Sequence, residues 1–174
     1  MISKYPIVDS HVHLRCAEDI DDLANIADYL GIERMSIASV LYSDQINENP
    51  EVFEAKSRYP NRFYIFPGLD HSTHFSNGRI ETPSLTQQLE LMIDMGADGL
   101  KLIETKPSKR KQIDIPMDSG YYDDLFARLE GTGFPVIWHV GDPGEFWDPK
   151  TTPSWAADGG MTRVIFRLRT CTVK

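Results

Sequence analysis

Ile7-Val8-Asp9-Ser10-His11-Val12-His13-Leu14 is the stretch on which the fold of this chain turns. A short apolar run leads straight into two histidines two residues apart. On a β-strand the side-chain period of two sets His11 and His13 on one face and Val12 on the other. Two imidazoles side by side on one face can share a metal ion. A pair of turn histidines with no ligand is the competing reading, and His-x-His alone does not separate the two. The rest of the chain has to decide.

Working outward, short apolar runs alternate with amphipathic ones. Strands are expected at about 6–10, 34–40, 63–67, 99–103 and 135–139. Between the first two, Ile20, Leu23, Ala27 and Leu30 recur at helical spacing, and Gly31 stops the helix. Asn49 reads as an N-cap and Pro50 as the first residue of a second helix that runs to about Tyr59. The stretch from Ser72 to Glu81 is polar and reads as loop. Ser84-Leu85-Thr86-Gln87 fits a capping box for a third helix ending at Gly96. Tyr121, Tyr122, Leu125, Phe126 and Leu129 make a fourth helix. Lys106 to Lys111 is a basic loop, read as solvated, with an acidic-group site as the alternative. Runs that are apolar throughout, rather than alternating, mark parallel strands covered on both faces. Alternating β and α units give a barrel or an open doubly wound sheet. No Gly-x-Gly-x-x-Gly follows the first strand, so a dinucleotide fold has no support.

The 174 residues, 41% hydrophobic and 25% charged, suit one globular domain with a real core. A net charge of -8 argues against nucleic acid and anionic membranes as partners. Cys16 and Cys171 form no disulfide framework, and no signal-peptide or membrane-spanning run is present, so a cytoplasmic setting is expected.

In parallel α/β architectures, function gathers at the C-terminal ends of the strands. The polar residues there are His11 and His13, then Asp70 and His71, then Lys101, then His139, which is followed by Val140-Gly141-Asp142-Pro143. His139 can complete a three-imidazole metal face, since neutral imidazole binds zinc without the charge cost of a carboxylate. An open position on such a metal binds water and lowers its pKa to ~7. Asp70, Trp138 and Asp142 are candidate pocket residues, with the aromatic Phe146, Trp147 and Trp155 nearby in sequence; His74 reads as solvated.

Taken together, Asp9 to Leu14, Gly99-Leu100-Lys101-Leu102, and His139 to Trp147 resemble the amidohydrolase superfamily, in its amidohydrolase-2 branch of TIM-barrel metal-dependent hydrolases. The resemblance covers roughly residues 6–158. It implies a (β/α)8 barrel, here partial with about five β/α units. It also implies His11, His13 and His139 as metal ligands, with zinc, one per site, as the cofactor. Lys101 matches a strand-four position that bridges two metals in some branches and carries no metal in others; pairing with Glu104 is its structural alternative. The implied activity is hydrolysis of a small amide, ester or lactone by a metal-activated water. Decarboxylation of a small acid, a TatD-like nuclease, and an inactive remnant or interaction fragment stand as alternatives. Lys101 stands where the nuclease family has Glu.

The pattern also breaks. The family places a further His on strand six and an acid–base Asp on strand eight; no histidine follows His139, and Asp142, Asp148 and Asp158 come too early for either role. A (β/α)8 barrel takes about 250 residues. Residues 161–174 carry four cations and no acid, whereas residues 1–160 are acidic. The tail reads either as a sixth strand or as out-of-frame sequence, the charge change favouring the latter. Residues 1–160 are accordingly expected to form the N-terminal part of one barrel domain. Its sheet edges would be exposed and open to oligomerisation, and its metal binding and turnover impaired.

Overall fold

The structure, a computed structural model, describes residues 5–40, 47–106, 109, 113–148 and 150–151. The basic tail, Trp155, Asp158 and most of the 106–111 loop lie outside the described residues, and with them the reading of the tail. Five strands fall where the apolar runs place them: β1 (Ile7–Val12), β2 (Ile32–Ala38), β3 (Phe63–Phe66), β4 (Leu100–Leu102) and β5 (Val136–Trp138). Every ladder is parallel and follows sequence order. The described residues do not close a barrel. They form a three-stranded sheet, β1-β2-β3, and a two-stranded sheet, β4-β5. One parallel bridge, Gly68 to Lys101, joins the two.

Three hydrogen bonds reinforce that seam. The Lys101 N–H donates to Pro67 O at 2.8 Å and the Asp98 N–H to Ile65 O at 3.0 Å. The Asp98 carboxylate accepts the Ile65 N–H at 2.8 Å and also takes the Lys56 ammonium. Gly99 sits between, and space explains it: a Cβ there would lie 2.7 Å from Pro135 O and inside the Phe66 ring.

The helices follow the periodicity with three corrections. Helix α1 (Ile20–Leu30) buries Ile20, Ala24 and Ala27 and ends at Gly31, whose φ of 69° lets its N–H reach back to Ala27 and Asp28. Helix α2 (Asn49–Arg58) has Pro in its first turn, but Glu48 holds the cap position. The Asn49 amide is committed elsewhere. It bonds both the N–H and the carbonyl of Gly68, each at 2.8 Å, and so clamps the exit of β3. The first part of the polar stretch after Asp70 is a one-turn helix, α3 (Ser72–Phe75), rather than loop. The Asp70 carboxylate starts it by accepting the Ser72 N–H at 2.8 Å. Helix α4 (Leu85–Asp94) carries the full Ser84–Gln87 capping box. Helix α5 (Asp123–Leu129) begins later than the pattern implies, because turns at Ser119 and Tyr122 precede it.

Two main cores result. Met35, Ile37, Phe63 and Ile65 of the first sheet pack on α1 and α2. Leu100 and Leu102 pack on Leu89 and Met92 of α4, on Leu125 of α5 and on Tyr122. The outermost strands are the least covered: Ile7 and Val8 on β1 and Val136 and Trp138 on β5 are exposed.

Candidate functional site

The His-x-His motif sits where β1 leaves its ladder. The pairing with β2 slips between Asp9 and Val12, and the Asp9 carboxylate accepts the His11 N–H at 3.1 Å. Such irregularities re-aim side chains beside functional sites. Val12 packs on the first core, while the His11 and His13 rings meet edge to face with centroids 4.8 Å apart. The His13 Nδ1 lies 2.6 Å from Ala38 O at the end of β2. A carbonyl only accepts, so Nδ1 carries the proton and neutral His13 presents Nε2 as a free lone pair.

Lys101 reaches this pair from β4. It is buried, and its Nζ lies 3.4 Å from His11 Nε2. Burial, and then the Lys106 charge, push its pKa down. The alternative pairing of Lys101 with Glu104 does not form; the Glu104 carboxylate turns to His71 instead. His139 extends β5, its N–H donating to Leu102 O at 2.9 Å. Its Nε2 lies 3.2 Å from the Asp142 carboxylate, itself 3.9 Å from the Lys106 ammonium. The imidazoles share one electrostatic environment. Burial lowers the His11 pKa first, followed by the charges of Lys101, His13 and His139. Burial, then Lys106, lowers that of His139, against the pull of Asp142.

In kind these donors suit a divalent ion. His139 Nε2 is engaged by Asp142, and among the described residues no three His, Cys, Asp or Glu side chains are gathered as a metal-binding group.

The other candidates fall as follows. Asp70 is committed to starting α3 and to Gln88 of α4, whose amide bonds both its N–H and its carbonyl. Trp138 stacks on Phe126 of α5, with ring centroids 6.0 Å apart. Lys109 is buried rather than solvated, while His74 is exposed. The sequence reading undervalued His71. It is buried between Glu104 and Tyr121, and the placement of one polar residue at each of two neighbouring strand exits, His71 and Glu104, is the signal that could have found it.

No protein-family model and no curated protein matches the chain. Among solved structures it is similar to a probable 2-pyrone-4,6-dicarboxylic acid hydrolase from Acinetobacter baumannii with citric acid bound (16% identity, TM-score 0.44), over 94% of this chain and 66% of that one. It is also similar to a 5-carboxyvanillate decarboxylase from Novosphingobium aromaticivorans with bound manganese and a nitrobenzoic acid (14% identity, TM-score 0.49, 96% and 58%). A third is a muconate lactonizing enzyme from Mycobacterium smegmatis (10% identity, TM-score 0.46, 97% and 44%). The chain thus spans less than two thirds of the length of each of these structures, 66%, 58% and 44% in the order given.

Proposed function

We propose that these strands carry the metal-binding side of an amidohydrolase-type hydrolase or decarboxylase acting on a small acidic molecule. The observation that carries the reading is the pair of touching imidazoles at the end of β1 with the Lys101 nitrogen 3.4 Å from His11. His11 and His13 would hold a divalent ion, with His139 the third ligand once it leaves Asp142. Bound there, such an ion supplies polarisation of a substrate carbonyl and acidification of water. The chain's own residues do the rest. The Ala38 carbonyl fixes the tautomer of His13. The charges of Lys101 and Lys106 suit a carboxylate on the substrate.

The test is a calorimetric titration of the purified chain with zinc and with manganese. With His139 engaged by Asp142, binding should be weak and one-to-one, and His11→Ala and His13→Ala should each abolish it. Metal binding indifferent to both substitutions would remove the reading. A panel of aryl esters, lactones and aromatic acids then separates hydrolysis from decarboxylation.

A further inference from the structure

A second group of chemistry-bearing side chains stands apart from the histidine pair. We propose that Tyr121, His71 and Glu104 form a hydroxyl–imidazole–carboxylate triad, in which His71 takes the Tyr121 proton as the phenol oxygen attacks an acyl donor. This triad requires neither a metal nor the function proposed above.

The three groups lie in hydrogen-bond series. The Tyr121 Oη lies 3.1 Å from His71 Nδ1, and His71 Nε2 lies 3.0 Å from Glu104 Oε1. An ionised carboxylate only accepts, so Nε2 carries the proton of neutral His71, and Nδ1 presents its lone pair to the phenol. The phenol therefore donates, and the imidazole is set as its base. Three elements converge to hold this order: the exit of β3, the exit of β4 and the turn before α5. The His71 ring is packed edge-on by Phe75 and by Tyr122, with centroids 6.4 and 6.3 Å away. These rings exclude water, which strengthens every hydrogen bond in the chain of three.

One atom has no structural task. Glu104 Oε2 is buried and makes no hydrogen bond. A half-satisfied buried carboxylate is costly for a network that only braces loops. It is suited to a base that becomes charged, because the carboxylate then stabilises the imidazolium. The three groups are graded from inside to outside. His71 and Glu104 are almost wholly buried, whereas Tyr121 is 42% exposed and can meet a ligand.

The step balances within the triad. The phenol oxygen bonds the acyl carbon of an ester as its proton passes to His71 Nδ1. The bond from that carbon to the leaving oxygen breaks, and the leaving group departs with the proton from Nδ1. Tyr121 is left as an aryl ester.

An aryl sulfonyl fluoride probes this directly: the tyrosine S–O bond forms, the S–F bond breaks, fluoride leaves, and the proton passes through His71 to water. Labelling rates at each tyrosine are read by peptide mass spectrometry. Exposure alone ranks Tyr29, at 90% exposed, ahead of Tyr121. The triad reverses that order, with Tyr121 labelled about tenfold or more faster than Tyr29, the ~10²–10⁴-fold of general-base assistance being partly offset by the lower exposure of Tyr121. Glu104→Gln and His71→Gln should each bring Tyr121 down to or below the Tyr29 rate, with Tyr29 as the internal standard and an unchanged far-UV circular dichroism spectrum as the check on the fold. If either variant fails to fold, the wild-type ratio decides alone. Labelling of Tyr29 as fast as Tyr121 overturns the proposal, as does a Tyr121 rate unaffected in a folded Glu104→Gln protein.

Discussion

At the scale of single residues, Tyr122 is the group whose setting has the plainest energetic consequence. Its side chain is fully buried, and its hydroxyl makes no hydrogen bond. Burial first, and then the charge of Glu104, push its pKa upward. The folded state therefore keeps a proton that the unfolded chain loses near pH 10. Below that pH the two states bind it equally. Above it the folded state holds more protons, so stability falls as pH rises, by up to about 1.4 kcal/mol per pH unit for this group. Tyr122→Phe should remove that share of the alkaline slope. It should also raise stability at neutral pH by about 1 kcal/mol, because an unsatisfied buried hydroxyl disappears. Urea unfolding of both proteins at pH 7 and pH 10.5 checks both parts. Legibility at this scale is uneven. That His11 and His13 share a face follows from strand periodicity, and the rings do meet. That Glu104 serves His71 and leaves Lys101 to His11 does not follow from spacing. It depends on how the exits of β3 and β4 are set side by side.

At the scale of elements, local chemistry and tertiary demand compete at recognisable places. The capping box before α4 and the left-handed Gly31 after α1 are short-range devices, and both form as their residues dictate. Asn49 obeys a longer-range demand. Its amide matches the unpaired backbone groups of Gly68, and the helix start passes to Glu48. Asp98 likewise serves a longer-range demand, tying β3 to the entry of β4. Gly99 is the sharpest case, since its role is to leave room. Gly99→Ala forces the Phe66 ring and the Pro135 carbonyl apart. Overpacking of this kind costs about 1–3 kcal/mol, and thermal melts against wild type should register it. A melting temperature within error of wild type would mean that the seam relaxes freely.

At the scale of the molecule, the order and direction of all five strands were legible, because parallel β/α units repeat one local pattern. Their division into three plus two was not, because nothing in the pattern weakens between β3 and β4. The difference lies in backbone pairing, reduced there to a single bridge. Hydrogen exchange should show it as amides of β2 and β3 protected as one class and those of β4 and β5 as another, with Lys101 and Asp98 at the boundary. A single protection class across all five strands would contradict a division at this point.

The two cores have a further property: each is contiguous along the chain. The buried residues of the first all lie between Leu14 and Ile65, and those of the second between Leu69 and Leu125. Among the partly buried side chains, Phe53 touches both. Contacts so local in sequence require little loop closure, which favours rapid assembly. They also give assembly a direction. A chain emerging from the ribosome N-terminus first can complete the first core before any residue of the second exists, so that β3 is already in place, with Asn49 holding its exit, when β4 arrives to dock.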